Sequence, residues 1–242
     1  MIPKQKLTDP LVPTLNNMGY MFNAPTPYGD EFLKFSMASG GPVLDIATAY
    51  GSSTLKALNK GIKVVANDIE PKHLEILMER VPENLKPLLT LSPGRFPTDL
   101  IYKPESFKAI FLSNILHFLK GGEIEHAAQK TFEWLQSGGK VFIIAASPYV
   151  RMFQDFIPQF ESNRKNNLKW PGYVADLKIF KNNSRIDHLP GFMHFFHPDD
   201  LKAAFEKQGF TIEIAEYFSQ PTWPEDMYLD GRESVGLIAR KV

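Results

Sequence analysis

Val43-Leu44-Asp45-Ile46-Ala47-Thr48-Ala49-Tyr50-Gly51 is the stretch that decides the fold of this 242-residue chain. Val43–Ala47 is a short apolar run bounded by Gly40-Gly41-Pro42 before it and Gly51 after it. Such a run reads as a strand buried on both faces. A carboxylate near its end, then small residues, then a helix start, makes a tight turn that exposes backbone N–H groups. Small side chains there let a ligand approach the main chain. An ordinary strand-to-helix turn has the same look, so this segment alone does not settle function.

Working outward, the same alternation repeats. Ser52–Lys60 reads as a helix ending at Gly61, and Ile62–Ala66 as a second strand. Pro71–Arg80 is a helix with Pro at its first turn. Leu88–Leu91 and Phe107–Leu112 are further strands, Glu123–Leu135 a helix closed by Gly138-Gly139, and Lys140–Ala146 a fifth strand. Before the first strand, Asp30–Ala38 is a short helix, preceded by an irregular Pro- and Asn-rich arm. After a break at Ser147-Pro148, regularity resumes with a helix from Pro198 to Gln208 and two strands, Phe210–Phe218 and Ser234–Lys241. Apolar strands separated by helices imply right-handed crossovers in a parallel sheet covered on both faces. The expected fold is a doubly wound, three-layer α/β/α domain. Its mostly parallel seven-stranded sheet closes with an antiparallel strand pair. Residues 1–242 are expected to form one domain. Residues 1–40 form an N-terminal arm, and 148–196 an insertion with one helix around Val150–Asn163.

Composition narrows the classes. At 43% hydrophobic residues the chain can bury a core, which excludes a disordered protein. Lys plus Arg equals Asp plus Glu at 27 each, so no general surface for nucleic acid or acidic membrane is expected. The absence of cysteine excludes disulfides, thiolate metal sites and cysteine nucleophiles. With no apolar segment resembling a secretory signal or membrane span, the expected location is cytoplasmic. The oligomeric state is not readable.

In an open parallel sheet, ligands bind beyond the carboxyl ends of the strands. The second such end is Ala66-Asn67-Asp68-Ile69. Asp68 lies some twenty residues past the first turn, where an acid can accept the hydroxyls of a ribose. A hydrogen bond to a charged acceptor contributes about 1.5–3 kcal/mol. Ile69 would offer an apolar face to an adenine. An exposed Asp ahead of a Pro-started helix is the competing reading.

Taken in order, VLDIATAYG, VVANDIEP, FKAIFLSNILHFL and LQSGGKVFII resemble the motif series of class I S-adenosylmethionine-dependent methyltransferases. HPDDLKAAFEKQGFTIEIAEYF followed by VGLIARKV is similar to that family's last helix and closing strand pair. The resemblance covers roughly residues 28–147 and 197–242. It implies S-adenosylmethionine as cofactor and methyl transfer by in-line displacement to a nitrogen or oxygen of an acceptor, expected to be a small molecule. It also implies roles by position. Asp45 and the backbone of Ala47, Thr48, Ala49 and Gly51 would hold the methionine part. Asp68 would take the ribose, with Ile69 against the adenine and Arg95 and Phe96 near the adenine edge. Leu112, Ser113 and Asn114 would face the methionine end and the acceptor. The family's turn often carries three glycines, whereas here two are Ala47 and Ala49. A positive φ at Ala49 costs on the order of 1 kcal/mol. Arg95 stands where an acid is usual and cannot accept from an adenine amino group, so it is expected to turn away or stack.

The arm and the insertion are expected to form a lid on the cofactor side, with Tyr28, Tyr149, Trp170, Tyr173 and Phe192 as candidates to face the methyl group, since aromatic faces attract a sulfonium. No catalytic base is evident; His188, His197 and Tyr149 are the candidates. His194-Phe195-Phe196-His197 has ligand-like spacing, but no convincing carboxylate or further His shares its local element, so no metal is expected. Two rivals stand. A nicotinamide-dependent oxidoreductase would want G-x-G-x-x-G at the first turn, which Ala47 and Ala49 do not supply. A non-catalytic S-adenosylmethionine-binding or regulatory protein is the other, favoured by Ala49 and Arg95.

Overall fold

The computed structural model describes residues 6–180, 184–220 and 223–242. Residues 1–5 of the arm and 181–183 of the insertion lie outside the described residues. The arm carries a small antiparallel hairpin, β1 (Leu11–Pro13) and β2 (Tyr20–Phe22). Helix α1 (Pro27–Ser39) follows, capped by Thr26, whose hydroxyl accepts from the Gly29 N–H at 3.0 Å. Then come β3 (Val43–Ile46), α2 (Ser52–Leu58), β4 (Val64–Asp68), α3 (Pro71–Arg80), β5 (Leu89–Pro93), β6 (Phe107–Ser113), α4 (Gly121–Trp134) and β7 (Leu135–Ala146). The insertion holds α5 (Ile157–Lys165) and a two-residue pair, β8 (Tyr173–Val174) with β9 (Met193–His194). Helix α6 (Pro198–Glu206) and strands β10 (Phe210–Phe218) and β11 (Ser234–Lys241) close the chain.

The main sheet has seven strands in the order β10-β11-β7-β6-β3-β4-β5, parallel from β7 to β5, with β11 antiparallel to both of its neighbours. The chain runs outward from β3 to β5 and then returns to lay β6 and β7 on the other side. The switch point therefore falls between β3 and β6, where Ile46 pairs with Leu112.

Alternation along the strands builds one core on each face. Leu44, Ile46, Ile110, Leu112 and Ile143 pack with Ile124, Ala127 and Trp134 of α4 and Leu201 and Phe205 of α6. Val43, Ala109, Phe111 and Phe142 pack with Phe32 of α1, Ala57 of α2 and Leu77 of α3. Phe32 stacks on Phe111 at 4.9 Å between centroids. Each fully buried side chain of this size contributes about 1.5–3 kcal/mol.

Three local expectations are corrected. The arm is not irregular throughout, because Val12 and Met21 face a small core with Ala49 and Tyr50 that holds the hairpin. Helix α1 begins three residues earlier than Asp30, at the Thr26 cap with Pro27 behind it. The helix around Val150–Asn163 splits: residues 151–156 form a 3-10 turn and α5 starts at Ile157. Pro158 has no N–H to donate, so it suits the first turn of a helix but not its interior.

Candidate functional site

A cavity opens beyond the carboxyl ends of β3, β4 and β6, with an empty volume of ≈1240 Å³ counted to its open mouth. Its floor is made by the turns after β3, β4 and β6, and includes Asp45, Ala47, Thr48, Ala49, Asp68, Ile69, Ser113 and Asn114.

The turn after β3 is built from left-handed backbone. Ala47 (φ 56°), Ala49 (φ 50°) and Gly51 (φ 84°) all lie there. For an L-residue this region is uncommon and costs free energy, so the two alanines store strain at the ligand face. Gly51 is the position where glycine is required: a Cβ there would sit 2.2 Å from Leu77 Cδ1. Asp45 anchors the turn from below. Its Oδ2 accepts from Thr48 Oγ1 at 2.9 Å and Thr54 Oγ1 at 2.7 Å. Burial pushes its pKa up to about 6, against the pull of those two hydroxyls.

Asp68 is buried and heavily used. Its Oδ2 accepts from the Ala49 N–H at 2.8 Å, and its Oδ1 from the Glu70 N–H at 2.9 Å and His73 Nδ1 at 3.0 Å. A carboxylate has about four lone-pair sites, so one remains, on Oδ2. The residue can accept one ribose hydroxyl directly, where sequence reasoning expected two. Ile69 is half-exposed and lies on the cavity wall.

Other expected residues lie elsewhere. Arg95 turns out to Glu123, with Nη2 2.5 Å from Oε1, and Phe96 packs in the core beside Trp134; neither lines the cavity. Gly51 and Leu112 are also off the wall, one beneath the turn and the other inside the sheet. The five aromatic residues expected over the methyl group are all absent from it. Tyr28 fills the space above Gly236 of β11, where a Cβ would be 1.8 Å from its Cζ, and its hydroxyl donates to Glu216 Oε1 at 3.2 Å. Tyr149 bonds Glu161 and lies under Arg232, 3.6 Å from ring centroid to guanidinium carbon. Trp170 meets His194 edge-on at 5.1 Å, Tyr173 sits in the β8–β9 pair, and Phe192 faces the Lys120 ammonium at 5.9 Å. Tyr28 is buried against β11 and Tyr149 in the insertion's own core, whereas Tyr173 is exposed.

The roof is made by other residues of the same two segments. The arm supplies Met18, Tyr20, Met21 and Phe22, and the insertion supplies Val150, Met152, Phe153, Leu189 and Met193. Trp223 and Met227, from the connection between β10 and β11, complete it. Five of the chain's eight methionines line this one cavity. Methionine is flexible and polarizable, so the wall can adapt to an apolar ligand.

None of the candidate bases reaches the cavity. His197 caps α6, its Nδ1 accepting from the Asp199 N–H at 3.1 Å, and His188 packs edge-on against Tyr20. Two histidines lie on the wall, His73 and His117; sequence reasoning passed over both, although His117 stands three residues after Asn114 in the strand-end motif. His117 Nδ1 accepts from the Ala146 N–H at 3.3 Å, which leaves the proton of the neutral ring on Nε2. Burial pushes its pKa down to about 3, so the ring stays neutral and acts as a donor. Among the described residues, no three His, Asp or Glu side chains are grouped to hold a metal ion. No helix of the described residues is long and apolar enough to cross a membrane.

Residues 43–139 match the family profile described as a methyltransferase domain. No curated protein sequence matches the chain significantly. Among solved structures, a methyltransferase described as SAM-dependent, from Methanosarcina mazei, superposes with a TM-score of 0.64 at 15% identity, covering 90% of this chain and 99% of that one. The glycopeptide N-methyltransferase MtfA in complex with S-adenosylmethionine has a TM-score of 0.59 at 15% identity, over 88% and 94% of the two chains. A putative S-adenosylmethionine-dependent methyltransferase from Listeria monocytogenes has a TM-score of 0.62 at 14% identity, over 89% and 98%.

Proposed function

We infer that this chain is a class I S-adenosylmethionine-dependent methyltransferase, from the methyltransferase-domain profile over residues 43–139 and the shared fold, and that its acceptor is a small, largely apolar molecule methylated at nitrogen or oxygen. S-adenosylmethionine is the cofactor, and when bound it supplies an electrophilic methyl on a sulfonium. The residues present fit it. The left-handed turn at Ala47–Gly51 presents main chain to the methionine part, Asp68 keeps one lone pair for a ribose hydroxyl, and Ile69 offers an apolar face to the adenine.

The observation that carries the acceptor class is the division of the cavity. Its floor holds the two carboxylates, and its roof is mostly methionine, aromatic and aliphatic, with Thr14, Asn16 and Arg185 among them. Among the described residues the cavity wall offers no free cationic track to a polyanion such as RNA, since Arg185 already forms a bidentate pair with Asp226. Among the described residues, the carboxylates and histidines on the wall are each hydrogen-bonded. Asp45 is held by two threonines, Asp68 by three donors, His73 at both ring nitrogens and His117 at Nδ1. The acceptor therefore brings its own lone pair, as a free amine or an anionic oxygen, and needs no protein base. The protein's part is to align the reactants and exclude water, and orientation alone can lower a barrier by about 7–11 kcal/mol.

Calorimetry with S-adenosylmethionine and its demethylated product tests the cofactor half, with micromolar-range dissociation expected for both. Tight binding of NAD with neither of them bound would reverse it. Labelled methyl transfer into apolar amines and carboxylic acids, compared with RNA, tests the acceptor; transfer to RNA alone would overturn the reading.

A further inference from the structure

His73 connects two parts of the molecule that are far apart in sequence. It sits on α3 with 1% of its surface exposed. Its Nδ1 faces Asp68 Oδ1 at 3.0 Å, and its Nε2 accepts from the Leu15 N–H at 3.1 Å. Since Nε2 accepts, the ring proton lies on Nδ1 and is donated to the carboxylate. Leu15 belongs to the arm, between β1 and β2, and its neighbours Thr14, Asn16 and Met18 line the cavity. A second tie runs in parallel: Tyr50 donates its hydroxyl to the Pro13 carbonyl at 3.0 Å, and its ring meets His73 edge-on at 4.9 Å. The arm is thus held to the cofactor turn and to Asp68 through one buried imidazole.

We propose that His73 is a positioning residue that fixes the Asp68 carboxylate for the cofactor and, with the same ring, latches the N-terminal arm over the acceptor side of the cavity. The proposal rests on the reading of Asp68 as the ribose acid. One nitrogen serves each task, so the two tasks are separable by substitution. A ribose hydroxyl donating to the remaining lone pair of Asp68 stiffens the carboxylate that holds His73, which tightens the arm. Cofactor binding and arm closure are then coupled and reciprocal, by no more than about threefold in affinity.

The test uses the full chain with three variants. His73→Asn keeps a donor near the Nδ1 position and loses the acceptor for Leu15. His73→Gln keeps an acceptor near the Nε2 position and loses the donor to Asp68, and His73→Leu loses both. The readouts are the dissociation constant for S-adenosylmethionine and amide exchange in the arm. For His73→Asn we expect affinity within about threefold of wild type and arm exchange faster by about tenfold. For His73→Gln we expect a protected arm and affinity weaker by about tenfold, and for His73→Leu both losses. In the wild type, added cofactor slows exchange of the Leu15 amide; in His73→Asn that slowing disappears. Leu15→Pro removes the arm's donor without touching α3, and should free the arm while leaving cofactor affinity within about threefold. It decides the matter if the buried substitutions unfold the chain. Identical effects of the Asn and Gln variants on both readouts, or an arm indifferent to Leu15→Pro, would overturn the latch. Failure of wild-type protein to bind cofactor would instead overturn the cofactor reading, whatever the arm does.

Discussion

The floor and the roof of the cavity are made in different ways. The floor is held by backbone geometry and charge: two buried carboxylates, each locked by named donors, and a turn with three residues in left-handed conformation. The roof is held by side-chain packing, and its wall is mostly methionine, aromatic and aliphatic. A small change in the floor alters a geometry with few solutions, whereas the roof can repack. Binding of a fixed cofactor belongs with the first kind of wall, and choice of acceptor with the second.

The largest expected effect breaks the floor outright. Gly51→Ala puts a Cβ 2.2 Å from Leu77 Cδ1 at φ 84°. Strain plus overpacking should cost about 2–5 kcal/mol, read as a fall in melting temperature. An unchanged melting temperature would show that the turn is plastic after all.

Next comes the buried acid under the turn. Burial raises Asp45 from its ordinary 3.8 to about 6. The native state therefore binds more protons than the unfolded chain across that window, and stability from this group falls as pH rises through it. Asp45→Asn does not titrate and its amide oxygen can still accept from the threonines. Its stability relative to wild type should grow across that window by up to about 3 kcal/mol, in denaturant titrations at stepped pH. A difference that stays flat with pH would place the proton elsewhere.

A crossed pair then separates the two walls. Asp68→Asn should weaken cofactor binding by about ten- to a hundredfold. It is preferable to Asp68→Ala because this residue is buried rather than loose at a strand end, and truncation would strand three donors. Met152→Ala should leave cofactor affinity alone and raise the acceptor's KM by about fivefold, the loss of about 1 kcal/mol of apolar contact. Parallel effects of the two variants on both constants would dissolve the distinction between floor and roof.

The smallest effect is a gain. Ala49→Gly relieves a positive φ of 50° but frees the unfolded chain, for a net stabilisation of about 0.5 kcal/mol. A lower melting temperature than wild type would mean that the strain at Ala49 is negligible.

The sequence by itself determined the mostly parallel sheet with its closing antiparallel pair, and the two strand ends that floor the cavity. Val43–Gly51 and Ala66–Ile69 carry their geometry locally: apolar runs fix strands, a strand end fixes where a carboxylate emerges, and small residues fix a tight turn. Even the strain at Ala49 was legible as a condition, because the backbone of such a turn leaves few alternatives. What only the tertiary structure decided is which side chains cover that floor. Tyr28 looked like a lid residue until Gly236, more than two hundred positions away, proved to leave room for its ring. Apart from the place of His117 just after a strand end, His117 and His73 carry no local mark that separates them from His188 or His197. Their roles come from the Ala146 and Leu15 N–H groups, which other segments bring to their ring nitrogens. Periodicity records which face of a strand or helix is apolar, but it does not record which distant backbone group will meet a given side chain. Contacts of that kind exist only once the chain has closed on itself, and they are what make this cavity's roof.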